Sequence, residues 1–198
     1  MERAILHVDV NSAYLSWEAV YGLQHGAKVD LRTIPSVVGG DEKSRHGIVL
    51  AKSIPAKKFN IKTGEVLWSA RGKCPNLVVL PPSYPLYIKC SNAMTDLLAE
   101  YSPLVERYSI DECFVDLTGH CHDKDYEETA WEIKERCRNE LGFTVNIGVS
   151  SNKLLAKMAS ELEKPDKLHT LYPHEIPKKL WPLPIRELFL AGPRTIPV

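Results

Sequence analysis

The sequence lacks the features that mark several broad protein classes. No apolar run approaches the roughly 20 residues of a membrane-spanning helix. The first ten residues, MERAILHVDV, pass straight into a strand-like pattern without a signal-peptide layout. Cysteines are few, odd in number and scattered: Cys74, Cys90, Cys113, Cys121 and Cys137 form no Cys-x-x-Cys pair. That argues against a disulfide framework and for reduced thiols in a cytoplasmic protein with no membrane partner. Internal repeats and low-complexity tracts are missing. Net charge is missing too, 25 basic residues balancing 25 acidic ones, so bulk charge does not announce a nucleic-acid binder.

What is present is unevenly placed. Residues 28–73 hold ten Lys/Arg against four Asp/Glu, a local excess of +6, whereas residues 1–27 and 74–198 are net acidic. Such a segment is either an anion-binding lobe or a solvated basic surface.

Residues 4–10, AILHVDV, read as a buried strand, and 12–26 as a helix ended by Gly26. IPSVV and GIVLAKS read as strands joined by the polar GGDEKSRH, followed by a short basic helix, PAKKFN, and a strand at 77–82 stopped by two prolines. From 84 to 101 the positions Ile88, Met94, Leu97, Leu98 and Tyr101 fit a helical stripe. LVERYS and ECFVDL form a hairpin. Residues 126–141 read as a helix with Ala130, Ile133, Cys137 and Leu141 inward, ended by Gly142. TVNIGV is a strand, Ser150 or Ser151 caps a helix reaching to about Glu163 before Pro165, and HTLY is a last short strand.

With residues 13–80 set aside, the order is β-α-β-β-α-β, the ferredoxin-like arrangement of an α+β fold. Two helices should cover one face of an antiparallel sheet and leave the other open, with the basic segment inside an insertion. Asp9 lies in the apolar LHVDV, and Asp111 and Glu112 lie side by side in YSIDECFVDL. In this topology the two strands are neighbours, so three carboxylates would converge on the open face. Without partners they would repel one another and at least one pKa would rise. A divalent cation such as Mg²⁺ relieves this, and two such ions can activate an attacking hydroxyl and stabilise a leaving pyrophosphate.

At these residues the chain resembles a known family. DVNSAY (9–14), GGD…RHGIVLAKS (39–53), AKKFNIKTGE (56–65), YSIDECFVDLTG (108–119), NIGVSSNKLLAKMAS (146–160) and EKPD (163–166) occur in the order and spacing of Y-family translesion DNA polymerases. The DVN triplet is more similar to the polymerase V catalytic subunit, and GGD…RHGIVLAKS to polymerase IV types.

The resemblance implies a palm at 1–12 and 81–172, small fingers at 13–80, and the start of a helix-hairpin-helix thumb at 173–198. Most of the thumb and a C-terminal DNA-gripping domain would lie outside this sequence, leaving a fragment with little activity of its own. It implies template-directed, error-prone DNA synthesis in damage tolerance, with primer-template DNA and dNTP as partners and a sliding clamp bound through the missing part. Asp9, Asp111 and Glu112 match the acids that hold two Mg²⁺, with Mn²⁺ as an alternative, and the Val10 carbonyl is a further ligand. Tyr14 matches the steric gate that rejects a 2′-OH. Lys57 and Lys164 match triphosphate contacts, joined by the backbone of Ser12, Ala13 and Tyr14 at a helix start.

Some positions depart from the family pattern. Ala13 stands where an aromatic is frequent, Ile54 and Pro55 where Tyr and Glu are common, and Ala51 at a threonine position. Lys57 replaces an arginine, keeping the charge and losing the planar fork. Two alternatives compete. GGDEK (39–43) resembles a diguanylate cyclase signature, but its fifth residue is Lys43 and it lies in the insertion. A non-catalytic DNA-binding module is the other. HCHD (120–123) is a lone cluster without the second half a zinc site needs, and reads as a surface loop.

Overall fold

The computed structural model describes residues 3–40, 47–121, 125–192 of the chain. The polar stretch at 41–46, which holds most of the cyclase-like signature, and His122 and Asp123 of HCHD lie outside the described residues. The chain divides into two compact units, Met1–Asn11 with Asn92–Val198, and Ser12–Ser91.

The first unit is built on β1 (Ile5–Val10), β5 (Val105–Arg107), β6 (Glu112–Asp116), β7 (Val145–Ser150) and β8 (Leu168–Thr170). They form one sheet in the order β5-β6-β1-β7-β8, antiparallel except for the β7–β8 pair. This is the expected α+β arrangement with one parallel edge strand added. β1 is the central strand and all six of its residues are buried.

Strand alternation sorts its side chains onto two faces. Leu6 and Val8 share one face with Cys113, Val115, Ile147 and Val149 of the flanking strands. The helix α4 (Tyr84–Ala99) covers that face, its Thr95 touching Cys113. So does α5 (Tyr126–Arg136), which packs on β7. In α5, Asp125 caps the start by accepting from the Glu128 amide at 2.6 Å, Ala130 and Ile133 point inward, and Cys137 in the following turn is also buried. Gly142, with φ +79°, then reverses the chain as its position after the helix requires. In α4, Met94, Leu97 and Leu98 are buried as the pattern predicts, but Ile88 is 54% exposed. The stripe runs through Tyr87, Ser91, Met94 and Leu98, at helical spacing, and Ile88 falls one step, about 100°, outside it.

The other face does not stay open. Ile5, His7, Asp9, Glu112, Phe114, Asn146 and Gly148 lie there, and α6 (Lys153–Glu161) packs over β1 and β7. Gly148 permits that contact: a Cβ at this position would stand 1.9 Å from the Ala156 carbonyl oxygen. Neither serine caps α6. Asn152 does, its Oδ1 accepting from the Leu155 amide at 2.9 Å, while the Ser150 hydroxyl donates to the Leu171 carbonyl.

The second unit holds β2 (Ser36–Gly39), β3 (Val49–Lys52) and β4 (Val78–Leu80) in the order β3-β2-β4, with α1 (Ala13–Gln24), α2 (Ile54–Lys57) and α3 (Leu67–Lys73). Its core contains Val37, Val49, Ala56, Ile61, Leu67, Ala70 and Leu77. The sequence reading missed α3, whose LWSARGK buries only Leu67 and Ala70, too short a stripe to show a period. Ser53 caps α2 and also donates to the Ile34 carbonyl at 2.7 Å, tying the helix to the sheet. No helix among the described residues is long and apolar enough to cross a membrane.

Candidate active site

The site is built on one cross-strand pair. Asp9 of β1 stands directly opposite Glu112 of β6, so their side chains leave the sheet on the same face. Glu161, on the last turn of α6, completes a group of three carboxylates whose ligand atoms lie within 4.8 Å of one another.

Two ammonium groups serve the three acids. Lys164 contacts Asp9 Oδ2 and donates to Glu161 Oε1 at 2.7 Å. Lys157, whose side chain is 9% exposed, donates to Glu112 Oε1 at 2.9 Å. Behind Lys157 lies His7, fully buried, with Nδ1 2.7 Å from the Ser160 hydroxyl. That hydroxyl donates its one proton to the Lys157 carbonyl at 2.8 Å, so it accepts from the Nδ1–H of His7. His7 Nε2 then faces Lys157 Nζ at 3.5 Å and Glu112 Oε2 at 3.7 Å. The rings of Tyr108 and Phe189 lie 5.3 and 5.1 Å from the same ammonium.

This setting drives the two acids apart. Burial pushes Asp9 upward; Lys164 opposes the shift, and Glu112 and Glu161 reinforce it. Burial also works to raise Glu112, but the His7 and Lys157 contacts outweigh it and hold the carboxyl at about 2. Lys164 is raised because Asp9 and Glu161 overcome the effect of its own burial.

Asp111 lies in the hairpin turn, where the Tyr108 and Ser109 amides both donate to the Glu112 carbonyl. Its carboxylate accepts from the Ser109 hydroxyl at 2.7 Å, and its carbonyl accepts from the Val10 amide at 3.0 Å. Asp111 is therefore a neighbour of the trio through the backbone rather than a member of it. Val10 is buried at the end of β1.

Lys164 sits in a bend held by two asparagines. The Asn146 amide group donates to the Ser160 and Glu163 carbonyls, and its oxygen accepts from Asn11 and from the Lys167 amide. Asn11 Oδ1 accepts from the Asp166 amide at 2.8 Å and from Thr144 at 3.0 Å.

The remaining sequence candidates belong to the second unit. Ser12 precedes α1 in the left-handed region, φ +50°, and Ala13 opens the helix, whose first amides lie outside the helical bonding pattern. Tyr14 stacks on Tyr87, ring centroids 4.3 Å apart and planes within 8°. Lys57 ends α2 and is exposed.

Sequence reasoning did not single out His7, Lys157, Ser160, Glu161 or the asparagine pair. His7 carried a signal, since it lies two residues before Asp9 and so on the same strand face. Lys157, Glu161 and Lys164 carried another, at the i, i+4, i+7 spacing of one helical stripe.

The impB/mucB/samB family model matches residues 8–161. The chain belongs to this family. The match takes in Asp9, Asp111, Glu112, Lys157 and Glu161. Family members similar to it include the DNA polymerase IV of Clostridium acetobutylicum, 60% identical over 192 residues, covering 97% of this chain and 48% of that protein. The DNA polymerase IV of Acetivibrio thermocellus is 40% identical and is covered to the same 48%. This chain thus spans about half the length of these curated relatives. Among solved structures, DinB from Sulfolobus solfataricus superposes with a TM-score of 0.84 at 27% identity, over 96% of this chain and 55% of that one. An insertion ternary complex of Dbh DNA polymerase gives 0.84 at 28%, with the same coverage. The α+β fold is shared with these Y-family polymerases, and the family assignment sets aside the cyclase reading.

Proposed function

We propose that this chain carries the catalytic residues of a template-directed translesion DNA polymerase, acting in the cytoplasm on primer-template DNA and dNTP. In this reading residues 1–12 and 81–172 are the palm, 13–80 the fingers and 173–198 the first part of a thumb. The observation that carries it is the Asp9–Glu112 cross-strand pair, central in a sheet shared with Y-family polymerases. An all-oxygen donor set on a buried strand suits a hard divalent cation, Mg²⁺ or Mn²⁺. Asp9 and Glu112 would hold two such ions with Asp111 and the Val10 carbonyl, and the bound metal would favour ionisation of a primer 3′-OH and offset charge on the departing pyrophosphate.

The chain's own groups do the rest. Lys157 keeps Glu112 ionised and aimed. Lys164, Lys57 and the backbone of Ser12, Ala13 and Tyr14 bind the triphosphate. The Tyr14 ring excludes a ribose 2′-OH. A sliding clamp is a further proposed partner, through sequence that the relatives carry outside the matched half.

The test is primer extension by a polypeptide that extends this chain to the full length of its relatives. Asp9→Asn and Glu112→Gln should each abolish extension while circular dichroism stays native. Near-normal extension by either variant would overturn the assignment.

A further inference from the structure

The gate reading of Tyr14 leaves open what keeps the gate in place. A tyrosine ring excludes one oxygen atom only if it cannot swing aside, and its two side-chain torsions are otherwise free to do so. The second unit answers this locally. Tyr14, Trp17 and Glu18 share one face of α1, at i, i+3 and i+4. Tyr87, from the first turn of α4, lies against that face with its ring flat on Tyr14, 4.3 Å between centroids at 8°. Tyr84 meets Tyr14 edge-on at 6.3 Å and 84°, and Trp17 lies 6.0 Å away, tilted.

Tyr87 itself is pinned. It is fully buried, and its hydroxyl donates to Glu18 Oε1 at 2.7 Å. Trp17, also fully buried, closes its flank at 5.7 Å. One face of Tyr14 is thus backed by a ring that has nowhere to move, and only the remaining surface is left to meet a sugar. Tyr14, Trp17, Glu18, Tyr84 and Tyr87 all belong to the second unit.

We propose that Tyr87 is the positioning residue for sugar selection: its stack on Tyr14, tethered through Glu18, fixes the plane of the gate. The proposal rests on the gate reading of Tyr14, and the experiment separates the two. In the polypeptide extended to full length, dNTP and rNTP incorporation are measured as kcat/KM for each. Tyr14→Ala should lower the dNTP/rNTP ratio. Tyr87→Leu, which removes the flat backing, should lower it by about 3- to 10-fold, the scale of one aromatic contact. Tyr87→Phe keeps the ring and loses the hydroxyl tether, and Glu18→Leu loses the same tether from the other side, so both should lower the ratio, by less than Tyr87→Leu does. Glu18→Gln, which keeps a weaker tether, should retain it within about twofold. If Tyr87→Leu does not fold, Tyr87→Met, flexible and of similar bulk, carries the same expectation.

A merely structural role would lower dNTP and rNTP incorporation together and leave the ratio unchanged. An unchanged ratio in Tyr87→Leu or Tyr87→Met, alongside a lowered ratio in Tyr14→Ala, overturns the positioning role and leaves the gate standing. An unchanged ratio in Tyr14→Ala overturns the gate and this inference with it.

Discussion

Lys157 Nζ lies 2.9 Å from Glu112 Oε1, an ammonium and a carboxylate paired beneath a helix that packs on the central strand. Asp9, directly across the strand pair, has the opposite electrostatic fate, held upward by burial and by two neighbouring carboxylates. Neutralising each acid in turn should therefore change stability in opposite directions. Without metal at pH 7, Asp9→Asn should raise the melting temperature. Glu112→Gln should lower stability by about 1–3 kcal/mol, because it leaves Lys157 buried without its counter-charge. Thermal denaturation in EDTA checks both, and a shared sign would show that the two sites are not electrostatically distinct.

The pH dependence follows from the same pair. Glu112 is depressed, to about 2, so its stabilising contribution is complete above its unfolded value and is lost as pH falls from there toward about 2. Asp9 is raised, so the stability it contributes is present below its unfolded value and is lost as pH rises through its folded value. Asp9→Asn should remove that second loss and flatten the stability curve on the side above pH 4, whereas Glu112→Gln should flatten the acid limb. Urea titrations across pH 3–8 give both slopes.

Divalent metal should stabilise the chain by itself. At about a hundredfold over its dissociation constant, a ligand bound only to the folded state adds about 2.7 kcal/mol. Mn²⁺ should therefore raise the melting temperature of the wild-type chain, and Asp9→Asn should erase the increment. The effect should shrink on acidification as the ligands protonate, Asp9 first. Differential scanning fluorimetry with Mn²⁺ and with EDTA reads this directly.

Gly148→Ala tests the seating of α6. The added methyl would stand 1.9 Å from the Ala156 carbonyl and 2.5 Å from the Ser160 amide, both backbone atoms that cannot step aside. The helix must lift or the strand must bend, at a cost of about 3 kcal/mol or more. The same variant should lose the Mn²⁺ increment, since Lys157, Glu161 and Ser160 all ride on that helix.

Asn146→Leu should free the bend that carries Lys164. It strips hydrogen bonds from the Ser160 carbonyl at the end of α6, and from the Glu163 carbonyl and the Lys167 amide in the bend before β8. Hydrogen exchange should accelerate at residues 163–167 while β1 and β6 stay protected. Uniform acceleration throughout the sheet would mean that Asn146 supports the whole unit instead.

The sheet was legible because strand periodicity and turn residues act locally. AILHVDV, the hairpin and TVNIGV each declare a strand, and their order admits few topologies. Asp9 and Glu112 were legible because a charge inside an apolar strand demands a reason. The placement of α6 was not. Its sequence signals a helix but not which face of the sheet it covers, and the decisive cue, the missing side chain of Gly148, has meaning only once Ala156 is beside it. That is why an open face was expected where Lys157 and His7 are buried. Asp111 accepts from Ser109 in the turn because a turn frees side chains from strict alternation. Ile88 failed for a smaller reason, since a stripe read one residue off still matches most of its apolar positions.

The central acid pair and its two ammonium partners come from different kinds of scaffold. The acids of the central pair belong to strands locked by pairing along both edges, while Lys157, Glu161 and Lys164 hang from one short stretch of chain laid across them. An arriving cation would thus find a fixed pair of acids that two ammonium groups already neutralise. A metal bound at Asp9 would have to displace Lys164, and that ammonium would then be available to the anion accompanying the metal.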